Sequence, residues 1–231
     1  MSILKIDEGG YFVLTYEEIK RNEDIRTYII HADKSLASLG YTEHSFAHVE
    51  KVSQTARYIL ETLGFDSHQI ELAQIAAFLH DIGNLVNREE HSQSGAVMAF
   101  RILDKLDMPS EDVATVVTAI GNHDEGTGVA VNAVAAALII ADKTDVRRSR
   151  VRNTDISTFD IHDRVNYSVR KSTVNINEEK TSLILTLDID TNFGAVMDYF
   201  EIFMGRMIMC RKAAESLGLS FRLIINGQQL L

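Results

Sequence analysis

The 231-residue chain is 45% hydrophobic and 24% charged, which excludes a largely disordered polypeptide and leaves room for one sizeable core, or one core with a small appendage. Its 23 basic and 33 acidic side chains give a net charge of −10, which disfavours sequence-independent binding to nucleic acid. The single cysteine, Cys210, excludes an internal disulfide framework and a thiolate zinc cluster. No secretory signal and no run near the ~18 apolar residues of a membrane span is visible, so the expectation is a cytoplasmic protein that does not enter a membrane.

In chain order, Gly9 and Gly10 precede an apolar run over 11–14, and Thr15 then reads as a helix cap with Glu17 and Glu18 in the first turn, where the helix dipole favours acids. A helical pattern extends to about Leu39, with a break near Asn22 and a stop at Gly40. Val49, Val52, Ala56, Ile59, Leu60 and Leu63 recur at three- and four-residue spacing and predict a helix from about Glu43 to Leu63, ended by Gly64. Asp66 or Ser67 caps a third helix that runs through apolar positions to His80, and Gly83 marks a break. Further helices are expected over about 90–106, from Pro109–Ser110 to about Asn122, and from Asn132 to about Arg148. The only proline is Pro109, which suits long uninterrupted helices.

After about residue 150 the pattern changes. Residues 168–176 and 182–189 read as strands, the second alternating Leu183, Leu185 and Leu187 against polar neighbours. A helix over 194–217 and a strand over 221–225 with an Asn226-Gly227 turn follow. The fold class is therefore mostly α: a helical bundle over 1–155 and a small β-β-α-β unit over 156–231. That unit would pack on the bundle or on a second copy of the chain, since Phe200, Phe203, Met204, Met207 and Ile208 give its helix a large apolar surface.

Histidines are sparse, and five of the eight stand where helices end or face one another. His80-Asp81 presents an imidazole and a carboxylate together at a helix end, a donor set that suits zinc, manganese, iron or nickel. His48, His91, His123 and Asp142 add one potential ligand from each neighbouring helix, which is how bundles assemble metal sites. Asp142 follows the apolar stretch 135–141, and a buried carboxylate there needs a cation.

These residues, in their contexts HVEKVSQTARYILETLGF, IELAQIAAFLHDIGN and LIIADKTD, resemble the HD-domain superfamily of metal-dependent phosphohydrolases over about residues 40–150. The resemblance implies that His48, His80, Asp81 and Asp142 hold one divalent metal. His91 in HSQSGA and His123 in AIGNHDE match the extra histidines of members that hold two, often iron, with Asp81 bridging. Iron or manganese is favoured, with zinc, nickel, cobalt or magnesium as alternatives. Asp81 is also the candidate catalytic group, orienting the metal-activated water that cleaves a phosphoester or phosphoanhydride. By the same resemblance the substrate is a small phosphorylated molecule, a nucleotide first of all.

Many relatives carry Lys where Asn84 stands, so another cation must meet the phosphate. Arg88, Lys143, Arg147 and Arg150 are candidates, since guanidinium groups match phosphate with paired hydrogen bonds. His44, four residues before His48, and Asp124, beside His123, are further candidate substrate contacts. His31, His68 and His162 carry no pattern and read as structural or exposed. Two other functions fit the same residues: oxygen activation at a dinuclear iron site, and a non-catalytic nucleotide-binding regulatory module. The filled set of six ligand positions argues against the second.

Overall fold

Cap chemistry sets the ends of the first helices in the structure, a computed structural model that describes residues 14–231. The expected Gly9-Gly10 turn and residues 11–13 of the apolar run lie outside the described residues. Thr15 opens α1 (Tyr16–Arg21) with a reciprocal capping box: its hydroxyl accepts from Glu18 N, and the Glu18 carboxylate accepts from Thr15 N at 2.9 Å. Asn22 ends α1 and caps α2 (Glu23–Ser38), its side chain accepting from Ile25 N at 3.1 Å. One asparagine thus serves both helices, which is the physical content of the break expected there.

Helix α3 (Phe46–Leu63) starts three residues later than expected, because Ser45 is its cap and donates its own N–H to the Glu43 carboxylate at 2.7 Å. Asp66 caps α4 (Ser67–Leu79), accepting from Gln69 N at 2.8 Å. Every residue of α4 from Leu72 to Leu79 is buried, so this helix runs through the middle of the bundle. A short helical turn over Ile82–Leu85 leads to α5 (His91–Lys105) and α6 (Ser110–Gly121).

Helix α7 (Ala133–Lys143) is the second fully enclosed helix, buried from Val134 to Ala141 and packed against α3, α4 and α6. It ends five residues before the expected Arg148. Thr144 turns its hydroxyl back onto Ile140 O at 2.7 Å, and the chain then folds inward so that Asp145 and Arg150 are buried. The Asn132 cap of α7 accepts from Ala135 N at 2.7 Å. Asn132→Ala should therefore cost about 1 kcal/mol, the usual worth of such a cap, read as a lower urea midpoint with an unchanged slope.

The C-terminal unit contains two elements that the sequence reading missed. Helix α8 (Ile161–Ser168) precedes the first strand, capped by Asp160, which accepts from Asp163 N at 2.7 Å. Ser168 therefore closes a helix, and β1 begins at Val169 and runs to Ile176. Strands β2 (Ser182–Ile189) and β3 (Ser220–Ile225) are parallel and joined by α9 (Val196–Ser216). Past the Asn226-Gly227 turn, with φ of 50° and 80°, Gln228–Gln229 adds a two-residue β4. The sheet order is β1-β2-β3-β4, with β1 and β4 antiparallel to their neighbours. Leu183, Leu185 and Leu187 point inward as their alternation predicts.

Helix α9 packs along α7. Its Phe203, Met207 and Cys210 join the apolar side chains of α4, α7 and the sheet in one continuous core, while Met204 and Ile208 stay exposed. No described helix is long and apolar enough to cross a membrane.

Candidate metal centre

The two enclosed helices deliver the acidic residues. Asp81 follows the C-terminal end of α4 and Asp142 stands in the last turn of α7, so both carboxylates emerge where the apolar helices stop. His48 comes from the first turns of α3, His80 from the end of α4, His91 from the start of α5, and His123 from just past α6. Glu90, at a left-handed φ of 55°, sets the angle at which α5 starts on His91. All four imidazoles are buried.

They are also oriented alike. His80 Nδ1 donates to Ala77 O at 2.7 Å, His123 Nδ1 to Ile120 O at 2.6 Å, and His91 Nδ1 to Arg88 O at 3.1 Å. His48 Nδ1 lies 2.8 Å from Asp145 Oδ2. A carbonyl or carboxylate can only accept, so each Nδ1 carries a proton and each Nε2 is turned inward. There His48 Nε2 lies 3.3 Å from Asp142 Oδ1 and 3.5 Å from Asp81 Oδ2, and His80 Nε2 lies 3.2 Å from Asp81 Oδ2 and 3.6 Å from Asp142 Oδ1. None of these contacts is aligned as a hydrogen bond. Among the described residues, His48 Nε2, His80 Nε2 and Asp81 Oδ2 are the buried side-chain atoms without a partner. On the far side, His91 Nε2 faces His123 Nε2 at 3.2 Å, two lone pairs that repel unless a cation lies beside them.

Two overlapping groups could hold a metal ion: His48, His80 and Asp142, and His80, Asp81 and His123. Within each group the donor atoms lie within 4.8 Å of one another. The electrostatics favour a cation. Burial works against a charged His80, yet the carboxylates of Asp81 and Asp142 hold its pKa up at about 10. Burial, reinforced by the charges of His80 and Lys143, pushes His123 down to about 3, which keeps it in the neutral form that ligates. Against burial, His80 and His48 hold Asp81 well below the usual carboxylate range, while Lys143 and the two histidines do so for Asp142. The donor set, its tautomers and its unpartnered atoms therefore fit divalent metal binding.

The cluster opens into a cavity of about 350 Å³ whose wall includes Asp81, His91 and Asp142. Of the expected substrate contacts, His44, Arg88, Lys143 and Arg150 line it. Lys143 is occupied, its ammonium lying 2.9 Å from Asp142 and 3.6 Å from both Asp124 and Glu125. Asp124 belongs to that ion network and is outside the lining. Arg147 is also turned away from the cavity, bound to Asp145 at 3.0 Å and to Glu43 at 3.3 Å. Buried Asp145 and half-buried Glu43 hold its guanidinium in place of the cavity.

Three features lay beyond the sequence reading. Asp145 fixes the His48 ring, and its only trace was an acid three residues after Asp142. Asn84 is buried and donates to Asp81 Oδ1 at 2.9 Å, so it orients the carboxylate. His162, Asn166 and Arg206 reach the cavity from the C-terminal unit, a long-range placement that no local pattern announces.

A crystal structure described as a predicted HD superfamily hydrolase from an uncultured Thermotogales bacterium is 26% identical. The match covers 57% of this chain and 73% of that one with a TM-score of 0.43. An uncharacterized protein of Methanocaldococcus jannaschii, MJ1020, is 24% identical over 190 residues, 72% of this chain and 73% of its own. The HD domain model matches residues 45–160, half of the 231-residue chain and a span that contains all six expected ligands. On that match the chain belongs to the HD domain family.

Proposed function

We propose that the protein is a phosphohydrolase that uses two divalent ions to cleave a phosphoester or phosphoanhydride of a small nucleotide. Family membership and the histidine–carboxylate cluster support a metal-dependent hydrolase. One observation carries the reading: the unpartnered His48 Nε2, His80 Nε2 and Asp81 Oδ2 are buried together beside a cavity lined by cationic side chains. His48, His80 and Asp142 would hold one ion, and Asp81, His91 and His123 the other, with Asp81 between them. When bound, such ions polarise a phosphoryl oxygen and acidify a water molecule.

The chain's own residues account for positioning. Asn84 fixes one oxygen of Asp81 and leaves Oδ2 free to orient the attacking water. Arg150 is buried, lines the cavity and is held by Nε on Glu43 O and Nη1 on Asp145 O, which leaves Nη2 for a phosphoryl oxygen. Arg88 is held by Asn84 Oδ1 at 3.3 Å and supplies a second guanidinium. It stands four residues after Asn84, in the bend that leads to α5. Both suit the equatorial oxygens of a phosphoryl group.

The test is metal analysis of protein purified without chelators, followed by assay on a nucleotide panel with manganese or iron. Two ions per chain are expected, falling to one in His91→Ala and in His123→Ala; an unchanged stoichiometry would sink the two-ion model. Arg88→Met should lower kcat/KM by about 10–100-fold through lost charge-assisted contacts, with the melting temperature nearly unchanged because the side chain is half-exposed. An undiminished kcat/KM in that variant would remove Arg88 from the phosphate site.

A further inference from the structure

Residues 161–231 lie beyond the HD match, yet α8 and α9 complete the cavity. Asn166 of α8 is the informative residue. It lines the cavity at 6% exposure and donates Nδ2 to His162 O at 2.9 Å, while among the described residues its Oδ1 accepts nothing. That oxygen is not among the buried unpartnered atoms, so it keeps access to solvent, and a donor on a ligand in the cavity can reach it. Asp163, one turn earlier, also lines the cavity, and its Oδ2 receives only a long contact of 3.4 Å from Asn153 Nδ2. Both residues line the cavity and carry acceptor oxygens that the protein leaves free or weakly bonded. Acceptors repel a phosphate, which belongs with Arg88 and Arg150, so this stretch of wall is left to the other end of the substrate.

We propose that Asn166 and Asp163 form a leaving-group subsite that reads the hydroxyls of a sugar phosphate. A ribose-type diol donates to Asn166 Oδ1 and to the Asp163 carboxylate while the phosphate lies against the two arginines. This rests on the phosphohydrolase reading above. Hydroxyls suit the subsite better than an ammonium group. Asp81 and Asp142 are engaged by the histidine cluster and Lys143, and the rest of the lining balances Arg88 and Arg150 against Asp160 and Asp163, with Arg206 paired to Glu125 at 2.7 Å, so no net negative field selects a cation there. The cavity, at about 350 Å³, is at the small end of the ~300–1,000 Å³ usual for ligand sites, which fits one sugar phosphate or mononucleotide.

Calorimetric titration of the metal-replete protein tests this with probes that are not hydrolysed: the phosphonate analogue of ribose 5-phosphate, its 2-deoxy counterpart, aminoethylphosphonate and methylphosphonate. The ribose analogue should bind about tenfold tighter than methylphosphonate, the 2-deoxy form falling between, as expected for one or two added hydrogen bonds. Asn166→Ala should remove most of that preference and leave methylphosphonate affinity unchanged, and Asn166→Asp, which keeps the acceptor, should restore it. Equal wild-type affinity for the ribose analogue and methylphosphonate overturns the proposal, whether or not the alanine variant folds. So does tighter binding of aminoethylphosphonate than of the ribose analogue, or an equal loss for all probes in Asn166→Ala. Because selectivity is read without turnover, an enzyme that binds with this preference but cleaves no phosphoester would fail the phosphohydrolase reading alone.

Discussion

Asp81→Asn should abolish turnover, lowering kcat by at least about 10³-fold, equivalent to ~4 kcal/mol of transition-state stabilisation, while the chain stays folded. Asp81 is central because it touches both halves of the cluster. Its Oδ2 lies 3.2 Å from His80 Nε2 and 3.5 Å from His48 Nε2, and its Oδ1 lies 3.6 Å from His91 Nε2. Replacing the carboxylate by an amide keeps the shape and removes the charge that two ions would share. Metal content should fall together with activity, because a neutral amide oxygen is a weaker ligand for a divalent ion than a carboxylate. Asp142→Asn should be milder in its reach, since Asp142 belongs only to the group with His48 and His80. Elemental analysis beside steady-state kinetics checks this. An Asp81→Asn protein that retains both ions and full activity would remove Asp81 from the mechanism.

The second large effect is on the backbone. A Cβ placed on Gly83 would stand 1.9 Å from His91 O, 2.5 Å from Gly95 N and 2.7 Å from Ser94 Oγ. The first two are main-chain atoms at the start of α5 and cannot swing aside. Gly83→Ala must therefore push α5 away from the turn that follows Asp81, and should cost about 3 kcal/mol or more as an overpacking change. For a chain of this size that is a fall in melting temperature of roughly 6–12 °C. The same displacement carries His91 away from Asp81, so metal binding on that side should weaken too. Gly126→Ala is the control: nothing lies within 4 Å of its Cβ position, and it should be near neutral. A Gly83→Ala protein that melts with the wild type would show that α5 is free to shift.

The six ligand candidates were legible because each sits at a place that local rules mark. His80-Asp81 ends an apolar helix, Asp142 ends another, and a carboxylate at the end of a buried helix needs a cation whatever the fold. Helix ends were legible where a cap or a left-handed glycine sets them, as at Thr15, Asn22, Asp66 and Gly64. The end of α7 was not. Helical propensity continues to Arg148, but Asp145 and Arg150 gain buried partners by leaving the helix, and tertiary pairing overrides local preference. Helix α8 was hidden for a similar reason: eight residues are too few for a periodic pattern, although Asp160 and Asp163 gave a cap signal.

By itself the sequence determined the helical bundle and the list of groups that could hold a metal, since these follow from periodicity, caps and residue type, while its motifs pointed to the family by resemblance. Only the tertiary structure decided how those groups act together. It turned four Nε2 atoms onto one centre through outward Nδ1 bonds and set Asn84 to hold Asp81. It took Arg147 and Asp124 into ion pairs and brought Asn166 and Arg206 to the cavity from beyond residue 160. The physical reason is range: caps and periodicity act over a few residues, whereas the orientation of a buried polar group is set by whichever partner the packed core brings within hydrogen-bonding distance.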